Sequence, residues 1–442
     1  MPELEQKLKK KTAVIGVVGL GYVGLPSAVA FARAGFNVLG FDIQPEKVAL
    51  VNKGQSTIED IDSGLIRDMV AKELLRATTD QSRLKETDVI CICVPTPLTA
   101  GREPDMSYIL RASEEVARHI QPGQLVVLES TTYPGTTRGT VLTILERSGL
   151  KAGADFYLAY SPERIDPGNK TYSIKNTPKL VGGIDSPSTG LAGMLYRQIA
   201  DEVLLLSCPE AAEMAKIFEN IFRNVNIALV NELAQLCEKM EINVWEVIRA
   251  AATKPFGYMP FYPGPGIGGH CIPLDPHYLA SRAREYGFQT RFIELAAEIN
   301  EQMPYHVISQ IMEALNNRGG SLKGAEVLVL GAAYKKDVGD IRESPTLKLI
   351  ELLNEEGARV SYHDPYLPRL ELPNGTLTSV ELTEGCLSSA DCVVIATAHS
   401  SYDVGQIARQ AKLIYDTRGV TLGLKSDNII RLGEGISGSQ ES

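Results

Sequence analysis

The sequence lacks several features that would place it in familiar classes of protein. It has fewer basic residues (44) than acidic ones (54), and the net charge of −10 argues against nucleic acid as a partner. Seven scattered cysteines are an odd number, which argues against a disulfide framework and favours a reducing compartment, the cytoplasm. There are only six histidines, and Cys91 and Cys93 lie in an apolar run typical of a buried strand, so we predict no metal site.

The chain also offers little that could enter a membrane. Residues 7–11 carry four lysines and residues 12–32 are uncharged, which resembles a secretory signal peptide. Four glycines and a proline interrupt that run, however, and most of the glycines fit a nucleotide-binding turn better. No other stretch is apolar over the length that a bilayer requires, so we expect no membrane partner.

What the sequence does have is a glycine turn between a strand and a helix. Thr12–Val18 reads as a strand, Gly19-Leu-Gly-Tyr-Val-Gly24 follows at once, and Pro26–Ala34 reads as a helix. In this arrangement the first glycine permits the turn, the second lets a pyrophosphate approach the helix N-terminus, and the third lets the helix pack on the strand. We predict a dinucleotide site that includes Tyr22 and Val23; a glycine turn without a ligand is the alternative.

An acidic residue completes the pattern. Val38–Phe41 reads as the next strand, and Asp42 stands at its end. A carboxylate there accepts hydrogen bonds from a ribose 2′-hydroxyl and repels a 2′-phosphate, so NAD is preferred over NADP. Lys47 can reach the same ribose or a phosphate.

Three further apolar runs end in turns rich in serine, threonine and proline. They are residues 89–94, 125–129 and 157–160. In an open parallel sheet, ligands bind beyond the carboxyl ends of the strands. We therefore expect Thr96, Thr131 and Glu163 to line one crevice with the glycine turn, and we place Pro95, which precedes Thr96, in the cofactor-binding set. Such residues also serve as ordinary turn and cap residues.

A long helix is predicted for Pro209 to about Met240. Lys216, Asn220 and Asn224 recur at every fourth position and so share one stripe. A lysine on a helix is usually solvated, but asparagines are unusual on a solvent face. A helix of this length often links domains or builds a dimer interface.

A loop rich in glycine and proline carries one cysteine. Residues 263–276 read Pro-Gly-Pro-Gly-Ile-Gly-Gly-His-Cys-Ile-Pro-Leu-Asp-Pro, a composition that neither a helix nor a central strand tolerates. Glycine lets the backbone pass close to a ligand, and proline fixes its direction. The thiol of Cys271 is therefore a candidate nucleophile; a buried structural cysteine is the alternative.

The last third of the chain alternates strands and helices again. The predicted strands are residues 326–330, 359–363, 392–396 and 413–415, with a helix that starts at Ser344-Pro345. Lys335, Lys336 and Arg342 follow the first of these strands, and such a local positive cluster suits a phosphate, unless it is a solvated basic loop. Residues 433–442 are rich in glycine and serine and predict a disordered tail.

Together these motifs resemble the UDP-glucose/GDP-mannose dehydrogenase family over roughly residues 10–425. The segments that carry the resemblance are Gly19-Leu-Gly-Tyr-Val-Gly24, Val94-Pro-Thr-Pro97, Glu129-Ser-Thr131, Ser161-Pro-Glu-Arg164, Glu213-Met-Ala-Lys-Ile-Phe-Glu-Asn220, Gly268-Gly-His-Cys-Ile-Pro-Leu-Asp275 and Lys335-Lys-Asp-Val-Gly-Asp-Ile-Arg342. The family oxidises a nucleotide sugar at C6 with NAD.

The resemblance implies an α/β fold of two Rossmann-like domains joined by a long-helix central dimerisation region. We place the NAD-binding domain at 1–206, the central domain with the cysteine loop at 207–320, the UDP-sugar-binding domain at 321–432 and the tail at 433–442. The partners implied are a UDP-sugar and further copies of the chain, as a homodimer or higher homo-oligomer.

The resemblance also assigns roles to individual residues. The catalytic set is Cys271 (nucleophile), Lys216, Asn220, Asp275, Glu163 and Thr131. The substrate-binding set is Glu163, Arg164, Lys216, Asn220, Gly268, His270, Tyr334 and Lys335, and Arg342 joins the cofactor-binding set with Thr131. A thiol can capture the aldehyde intermediate and become a thioester, a cation and an amide can stabilise the oxyanions, and a carboxylate can activate water.

The substrate is expected from the loop around the cysteine. His270 and Leu274 differ from the residues usual in UDP-glucose enzymes, and the loop resembles the branch of the family that acts on N-acetylhexosamines. The sequence Ile272 to Leu279 looks most similar to UDP-N-acetylglucosamine 6-dehydrogenases of bacterial surface-polysaccharide (O-antigen) pathways. UDP-N-acetylmannosamine and UDP-glucose are the alternatives.

Two other classes of function stay open from the residues alone. One is a two-electron NAD-dependent alcohol or hydroxy-acid dehydrogenase in which Cys271 is structural. The other is a non-catalytic NAD-sensing or nucleotide-binding protein, which has no need of Lys216, Glu163 and Cys271.

Overall fold

The structure is a computed structural model of the chain. It describes residues 2–58, 61–99, 101, 103–166, 168–169, 171–269, 271–373 and 375–435. The chain divides into two compact units. The first comprises Met1–Glu219 and His277–Phe288, and the second comprises Asn220–Pro276 and Gln289–Ser442.

The first unit alternates strands and helices along most of its length. In chain order its elements are α1 (Pro2–Lys10), β1 (Val14–Val18), α2 (Gly24–Arg33), β2 (Asn37–Phe41), α3 (Pro45–Asn52), α4 (Ser63–Ala71), β3 (Leu75–Thr78), β4 (Val89–Ile92), α5 (Ser107–His119), β5 (Leu125–Leu128), α6 (Leu142–Leu145), β6 (Tyr157–Tyr160), β7 (Lys179–Gly183), α7 (Ser186–Tyr196) and β8 (Val203–Leu206). The strands predicted from the sequence are all present, with ends shifted by a residue or two.

The sheet of the first unit has the strand order β3-β2-β1-β4-β5-β6-β7-β8. Every neighbouring pair is parallel except β6 and β7, which run antiparallel with Tyr160 opposite Gly182. The carboxyl ends of β1, β4, β5 and β6 therefore meet at one edge, and the amino end of β7 joins them there.

The core of the first unit forms because the central strands are apolar on both faces, as parallel sheets covered by helices require. All four residues of β4, of β5 and of β6 are buried. Cys91 and Cys93 are both buried in this core, which confirms the structural interpretation of that pair.

The chain then passes into a long helix, α8 (Pro209–Lys239), followed by α9 (Val244–Ala252), α10 (Asp275–Glu285) and α11 (Arg291–Asn316). The long helix predicted from the sequence is confirmed to within one residue at its end. The remaining elements, all of the second unit, are β9 (Glu326–Leu330), α12 (Pro345–Glu355), β10 (Arg359–His363), β11 (Arg369–Leu372), β12 (Gly375–Thr378), α13 (Glu384–Ser389), β13 (Cys392–Ile395), α14 (Val404–Gln410), β14 (Ile414–Asp416) and β15 (Ile429–Arg431).

The second unit is built on a parallel sheet with the order β10-β9-β13-β14-β15. A separate antiparallel pair, β11 and β12, follows β10. With two predominantly parallel sheets in units that alternate strands and helices, the predicted fold class is confirmed.

Two features differ from the expectations or were missed by them. Lys7, Lys9 and Lys10 belong to α1, an amphipathic helix that buries Leu4 and Leu8, and Lys11 directly follows it. The predicted tail starts too early, because Gly433 accepts a 2.9 Å hydrogen bond from Val244 N and Glu434 accepts one from Asn243; residues 436–442 lie outside the described residues. Among the described residues, no helix combines the length and apolar character needed to cross a membrane.

Candidate active site

The glycine turn after β1 has the geometry of a dinucleotide site. Gly19 adopts a φ of +94°, and a Cβ there would lie 2.6 Å from the carbonyl oxygen of Cys93. A Cβ on Gly24 would lie 1.8 Å from the oxygen of Gly19, whereas a Cβ on Gly21 would have no protein atom within 4 Å. The first and third glycines are thus required by the fold. The second leaves open space beside the N-terminus of α2, which fits a pyrophosphate.

Asp42 lies at the end of β2, where the sequence predicted it. Its Oδ2 accepts a 2.9 Å hydrogen bond from Leu20 N, and its Oδ1 accepts one of 2.9 Å from Gln44 N. The Nζ of Lys47 is 4.0 Å from Oδ2. The carboxylate therefore ties the glycine turn to the second strand, and Lys47 stands beside it.

The other predicted residues of the first unit follow neighbouring strands. Pro95 and Thr96 come after β4, Thr131 after β5 and Glu163 after β6. Because these strands are parallel neighbours, the four residues lie along the same edge of the sheet as the glycine turn. The structure thus gathers them as the topology argument predicted.

The loop that carries Thr131 is anchored to α8 by a buried carboxylate. Glu213 accepts hydrogen bonds from Gly135 N (2.6 Å), Thr137 N (2.8 Å) and Thr137 Oγ1 (2.7 Å). Burial raises the pKa of Glu213, and the hydrogen bonds only partly offset that effect. Glu213 belongs to the motif that also contains Lys216, so one turn of α8 fixes the edge of the first sheet.

Glu163 combines turn chemistry with an ion pair. Its Oε1 accepts hydrogen bonds from Arg164 N (2.7 Å) and Ile165 N (2.8 Å), and its Oε2 lies 3.2 Å from Lys179 Nζ. Arg164 itself pairs with Glu219 of α8 at 2.7 Å. The positive charge of Arg164 is therefore already balanced within the first unit.

Lys179 is a site-edge residue that the sequence did not reveal. It is the first residue of β7, it is buried, and its Nζ lies 3.2 Å from both Glu129 Oε2 and Glu163 Oε2. Tyr196 donates a 2.8 Å hydrogen bond to Glu129 Oε1. Burial would lower the pKa of Lys179, but the charges of Glu129 and Glu163 outweigh it and raise that pKa above its usual value.

The polar stripe of α8 is buried. Lys216, Asn220 and Asn224 are only 8%, 6% and 2% exposed, so the solvated-face alternative is wrong. Within the part of the chain that the structure describes, no acidic side chain forms an ion pair with Lys216. A cation that is buried without a counter-charge is costly, and an anionic ligand would offset that cost.

In the second unit, Asn220 and Asp275 hold the turn that contains Cys271. Asn220 Nδ2 donates a 2.6 Å hydrogen bond to Asp275 Oδ2, and Asp275 N donates one of 2.9 Å to the carbonyl oxygen of Cys271. Cys271 is half-buried and leads directly into α10. The two polar residues thus fix the backbone on which the thiol is carried.

Further buried asparagines fasten the same loop. Asn224 Nδ2 donates to the carbonyl oxygen of Ile272 at 3.2 Å, and Asn231 Oδ1 accepts from Gly264 N at 3.0 Å. Asn231 in turn donates to Asn300 Oδ1 at 2.9 Å. The sequence stripe pointed to Asn224, but Asn231 and Asn300 were missed because α8 and α11 are far apart in the chain.

The glycines before Cys271 pack against the segment that follows β9. A Cβ on Gly268 would lie 2.6 Å from Tyr334 Cβ, and one on Gly269 would lie 2.9 Å from the Tyr334 ring. Gly269, with a φ of +97°, also donates a hydrogen bond to the carbonyl oxygen of Arg342 at 3.0 Å. The structure therefore brings Gly268, Tyr334 and Arg342 together, with the half-buried Lys335 next to Tyr334; His270 lies outside the described residues.

Asp364 repeats in the second unit what Asp42 does in the first. It follows β10, and its Oδ2 accepts hydrogen bonds from Ala332 N (2.7 Å), Ala333 N (3.0 Å) and His399 Nε2 (3.0 Å). Burial would raise the pKa of Asp364, but hydrogen bonds from His399 and the backbone outweigh it and lower that pKa. The sequence showed Asp364 at a strand end but gave it no role.

Comparison with known proteins covers nearly the whole chain. Three parts of the UDP-glucose/GDP-mannose dehydrogenase family match it: the NAD binding domain at residues 13–200, the central domain at 210–302 and the UDP binding domain at 328–422. All the candidate residues described above lie within these three matches.

Individual relatives agree with that match. A Pyrococcus horikoshii protein named UDP-N-acetyl-D-mannosamine dehydrogenase is 38% identical over 416 residues, covering 92% of this chain and 95% of the relative. A Pseudomonas aeruginosa protein named UDP-N-acetyl-D-glucosamine 6-dehydrogenase is 33% identical over 426 residues, covering 94% and 99%. The solved structure of a UDP-D-ManNAc dehydrogenase from Pyrococcus horikoshii superimposes with a TM-score of 0.87 at 36% identity, over 96% of this chain and 100% of that one.

Proposed function

Because this chain belongs to the UDP-glucose/GDP-mannose dehydrogenase family, we propose that it oxidises C6 of a UDP-N-acetylhexosamine to the carboxylate through a thioester on Cys271. The observation that carries the proposal is the half-buried Cys271 on a turn fixed by Asn220 and Asp275. NAD is the cofactor, since the family's NAD-binding domain is present. When bound, it accepts two electrons in each of the two oxidations.

The chemistry of the chain's own residues follows from this assignment. The Cys271 sulfur adds to the C6 aldehyde to give a thiohemiacetal, whose oxidation gives a thioester, and water then releases the uronic acid. Covalent attachment keeps the reactive aldehyde on the enzyme between the two oxidations. An acid or a base could not retain the aldehyde in this way, so the reaction needs a thiol.

Lys216 and Asn220 suit the stabilisation of oxyanions. Lys216 is buried and, in the described part of the chain, has no acidic partner, so developing negative charge would compensate it. The Asn220 amide is oriented by Asp275, which makes it a preorganised donor group. Glu163, Asp275 and Thr131 are proposed to activate and orient the hydrolytic water.

The binding roles are assigned along the same lines. We propose that NAD contacts Gly19, Gly21, Tyr22, Val23, Gly24, Asp42, Lys47, Pro95, Thr96, Thr131 and Arg342, and that the UDP-sugar contacts Glu163, Arg164, Lys216, Asn220, Gly268, His270, Tyr334 and Lys335. The open space at Gly21 supports the first set. The packing of Gly268 against Tyr334 supports the second.

Two epimers compete as the sugar. The loop from Ile272 to Leu279 favours UDP-N-acetylglucosamine, whereas the relative with 38% identity is named for UDP-N-acetyl-D-mannosamine. Initial rates of NADH formation on UDP-glucose, UDP-N-acetylglucosamine, UDP-N-acetylgalactosamine, UDP-N-acetylmannosamine and GDP-mannose decide between them. A strong preference for UDP-glucose would overturn the N-acetylhexosamine assignment and leave the cysteine chemistry standing.

We also propose that the protein assembles at least as a dimer through an apolar stripe on α8. The stripe consists of Phe222, Leu229 and Leu236 on α8 and of Met240 directly after its end, which are 41–60% exposed. Such a row of exposed large apolar side chains along a helix is typical of a protein–protein contact. The assignment of residues 1–206, 207–320 and 321–432 to three functional domains belongs to the same proposal.

A further inference from the structure

We propose that Lys179 is a positioning residue for Glu163, which it holds in one orientation for the hydrolysis of the thioester. Lys179 acts through Glu163 and is itself held in place by Glu129 and Tyr196. The inference rests on the proposed function, because that function gives Glu163 its role as the group that takes a proton from water.

The topology of the first sheet brings the two residues together. Strand β7 runs antiparallel to β6, with Tyr160 opposite Gly182. Lys179 is the first residue of β7, and Glu163 lies three residues beyond the end of β6, so both lie at the same edge of the sheet, with Lys179 Nζ 3.2 Å from Glu163 Oε2. Among the strands that the structure describes, β6 and β7 form the one antiparallel pair of this sheet, and this pair places a lysine at the edge where other strands place acidic and hydroxyl side chains.

Lys179 lies beside two carboxylates, Glu129 and Glu163, which differ in their exposure to solvent. Glu129 is fully buried and accepts hydrogen bonds from Lys179 Nζ (3.2 Å) and Tyr196 Oη (2.8 Å). Glu163 keeps 12% of its side chain exposed. Because the Lys179 ammonium also lies 5.0 Å from the centre of the Tyr196 ring, Glu129 and Tyr196 anchor the cation, and Glu163 is the member that solvent or substrate can reach.

Glu163 is held at both of its oxygens. Oε1 accepts two backbone N–H groups, from Arg164 and Ile165, and Oε2 lies 3.2 Å from Lys179 Nζ. A carboxylate that is fixed in this way presents its remaining lone pairs in constant directions, which general-base catalysis needs. Removing the cation frees one of these two oxygens.

The hydrolysis of the thioester consumes one water molecule. The oxygen of water bonds to the thioester carbon while a proton of that water passes to Glu163. The carbon–sulfur bond then breaks, the sulfur of Cys271 leaves with the bonding pair, and the uronic acid departs. No electrons are exchanged with a cofactor in this step, so a defect in it is separable from a defect in oxidation.

The test compares two variants that differ only at Lys179. Glu129→Gln keeps an oxygen that can accept the hydrogen bond of Lys179 and keeps both Lys179 and Glu163, so it serves as the control. Lys179→Met in the Glu129→Gln background removes the cation without stranding a buried charge opposite it. Lys179→Gln in the same background is the second variant, because it is also neutral but keeps a hydrogen-bond donor for folding.

Two readouts are collected with the full chain, NAD and the preferred UDP-sugar. Acid quenching and mass spectrometry measure the fraction of Cys271 that carries an acyl group and the rate at which that group forms, and steady-state rates give kcat. Relative to the control, both Lys179 variants should accumulate the acyl-enzyme, form it at the rate of the control and lose about 10- to 100-fold in kcat. A purely structural lysine would also slow the formation of the acyl-enzyme.

The Glu163→Gln variant separates the possible failures. If Glu163→Gln accumulates the acyl-enzyme but the Lys179 variants match the control, the inference is overturned and the proposed function stands. If Glu163→Gln itself hydrolyses the thioester normally, the role of Glu163 and the inference both fall. If the wild-type protein makes no NADH with any UDP-sugar, the proposed function falls and takes the inference with it. In the Glu163→Gln background, loss of Lys179 should have no further effect on the rate of hydrolysis. If it slowed hydrolysis there as much as it does when Glu163 is present, the inference would also be overturned.

Discussion

Asn220 Nδ2 lies 2.6 Å from Asp275 Oδ2, and both side chains are buried, at 6% and 2% exposure. The amide of a helix residue is thereby held by the first residue of α10, four positions after Cys271. Because Asp275 N also donates to the carbonyl oxygen of Cys271, the pair fixes both the orientation of the amide and the backbone next to the thiol.

Replacing Asn220 by aspartate should therefore reduce the activity strongly, although the two side chains are almost the same size. Two carboxylates would face each other at hydrogen-bond distance, so one of them must take up a proton or move away. We expect kcat to fall by about 100- to 1000-fold and the remaining activity to be confined to lower pH than in the wild-type protein. Steady-state rates measured across pH give both quantities.

Asn226→Asp is the matched control for that change. Asn226 lies on the same helix, and its amide donates to the carbonyl oxygen of Phe222, away from the cysteine loop. The same chemical change should alter kcat by less than about threefold there. If Asn220→Asp behaved like Asn226→Asp, the assignment of Asn220 to the reaction would be wrong.

The glycine turn offers a pair of substitutions that separate cofactor binding from folding. Alanine at Gly24 would place a Cβ 1.8 Å from the Gly19 oxygen, whereas alanine at Gly21 meets no protein atom within 4 Å. We expect Gly24→Ala to lower the free energy of unfolding by more than about 3 kcal/mol, and Gly21→Ala to change it by less than about 1 kcal/mol. Urea denaturation measures both.

The affinity for NAD tests the Gly21→Ala variant, which the stability measurement should leave almost unchanged. Gly21→Ala is expected to fold normally but to raise the Kd for NAD by about 10-fold or more, because its methyl group enters the space proposed for the pyrophosphate. Isothermal titration calorimetry gives the Kd. Wild-type affinity in the Gly21→Ala variant would place the cofactor elsewhere.

A feature of the fold or of the site could be predicted from the sequence when residues close together in the chain determine it. The glycine turn, Asp42 and the stripe of Lys216 and Asn220 could be predicted because spacing along one strand or helix determines them. The edge that gathers Thr131 and Glu163 could be predicted because parallel strands share a carboxyl edge.

The residues that were missed depend on pairing between distant segments. Lys179 reaches Glu129 and Glu163 because β7 is antiparallel to β6, and nothing in a short apolar run indicates the direction of a strand. Asn231 and Asn300 are hydrogen-bonded although 69 positions separate them in the chain, and a single polar residue in a helix does not indicate its partner. Tertiary packing, rather than local propensity, selects these contacts.

Asp364 gives a prediction for the dependence of stability on pH. Because its pKa is lowered in the folded protein from an ordinary value of 3.8, it contributes stability above that ordinary value. The contribution is lost as the pH falls through the lowered pKa. At pH 7, Asp364→Asn should cost about 2 kcal/mol, since the amide cannot accept all three hydrogen bonds.

The dependence of stability on pH can be compared between variants of Asp364 and of a carboxyl group on the surface. The difference in stability between wild type and Asp364→Asn should shrink as the pH is lowered below about 4, as followed by urea denaturation at several pH values. Asp427→Asn, at an exposed position, is the control and should show no such convergence. A gap that stays constant down to acidic pH would contradict the assigned role of Asp364.

The apolar stripe on α8 predicts a change in assembly. Glutamate at Leu229 or Leu236, which are 60% and 50% exposed, would place a charge in the proposed contact. We expect each variant to weaken the dimer by about 30-fold or more, as measured by sedimentation equilibrium. A dimer that is unaffected, or a wild-type protein that is monomeric, would rule out the stripe as the interface.

Arg223→Gln is the control for the stripe variants. It lies on the exposed surface of the same helix but outside the stripe, and it changes the net charge by the same single negative unit as leucine to glutamate. Its sedimentation should match the wild-type protein. A shift in that control would indicate a general effect of charge instead of loss of an apolar contact.

The central claim is that Cys271 carries the sugar between two oxidations, and the number of NADH molecules formed per UDP-sugar consumed tests it most directly. The wild-type protein should form two and release the uronic acid. Cys271→Ala should release no acid, while Cys386→Ala, which changes another half-buried cysteine of the second unit, should behave like wild type. One NADH per sugar in the wild-type protein, or a near-normal rate of acid release in Cys271→Ala, would contradict the account.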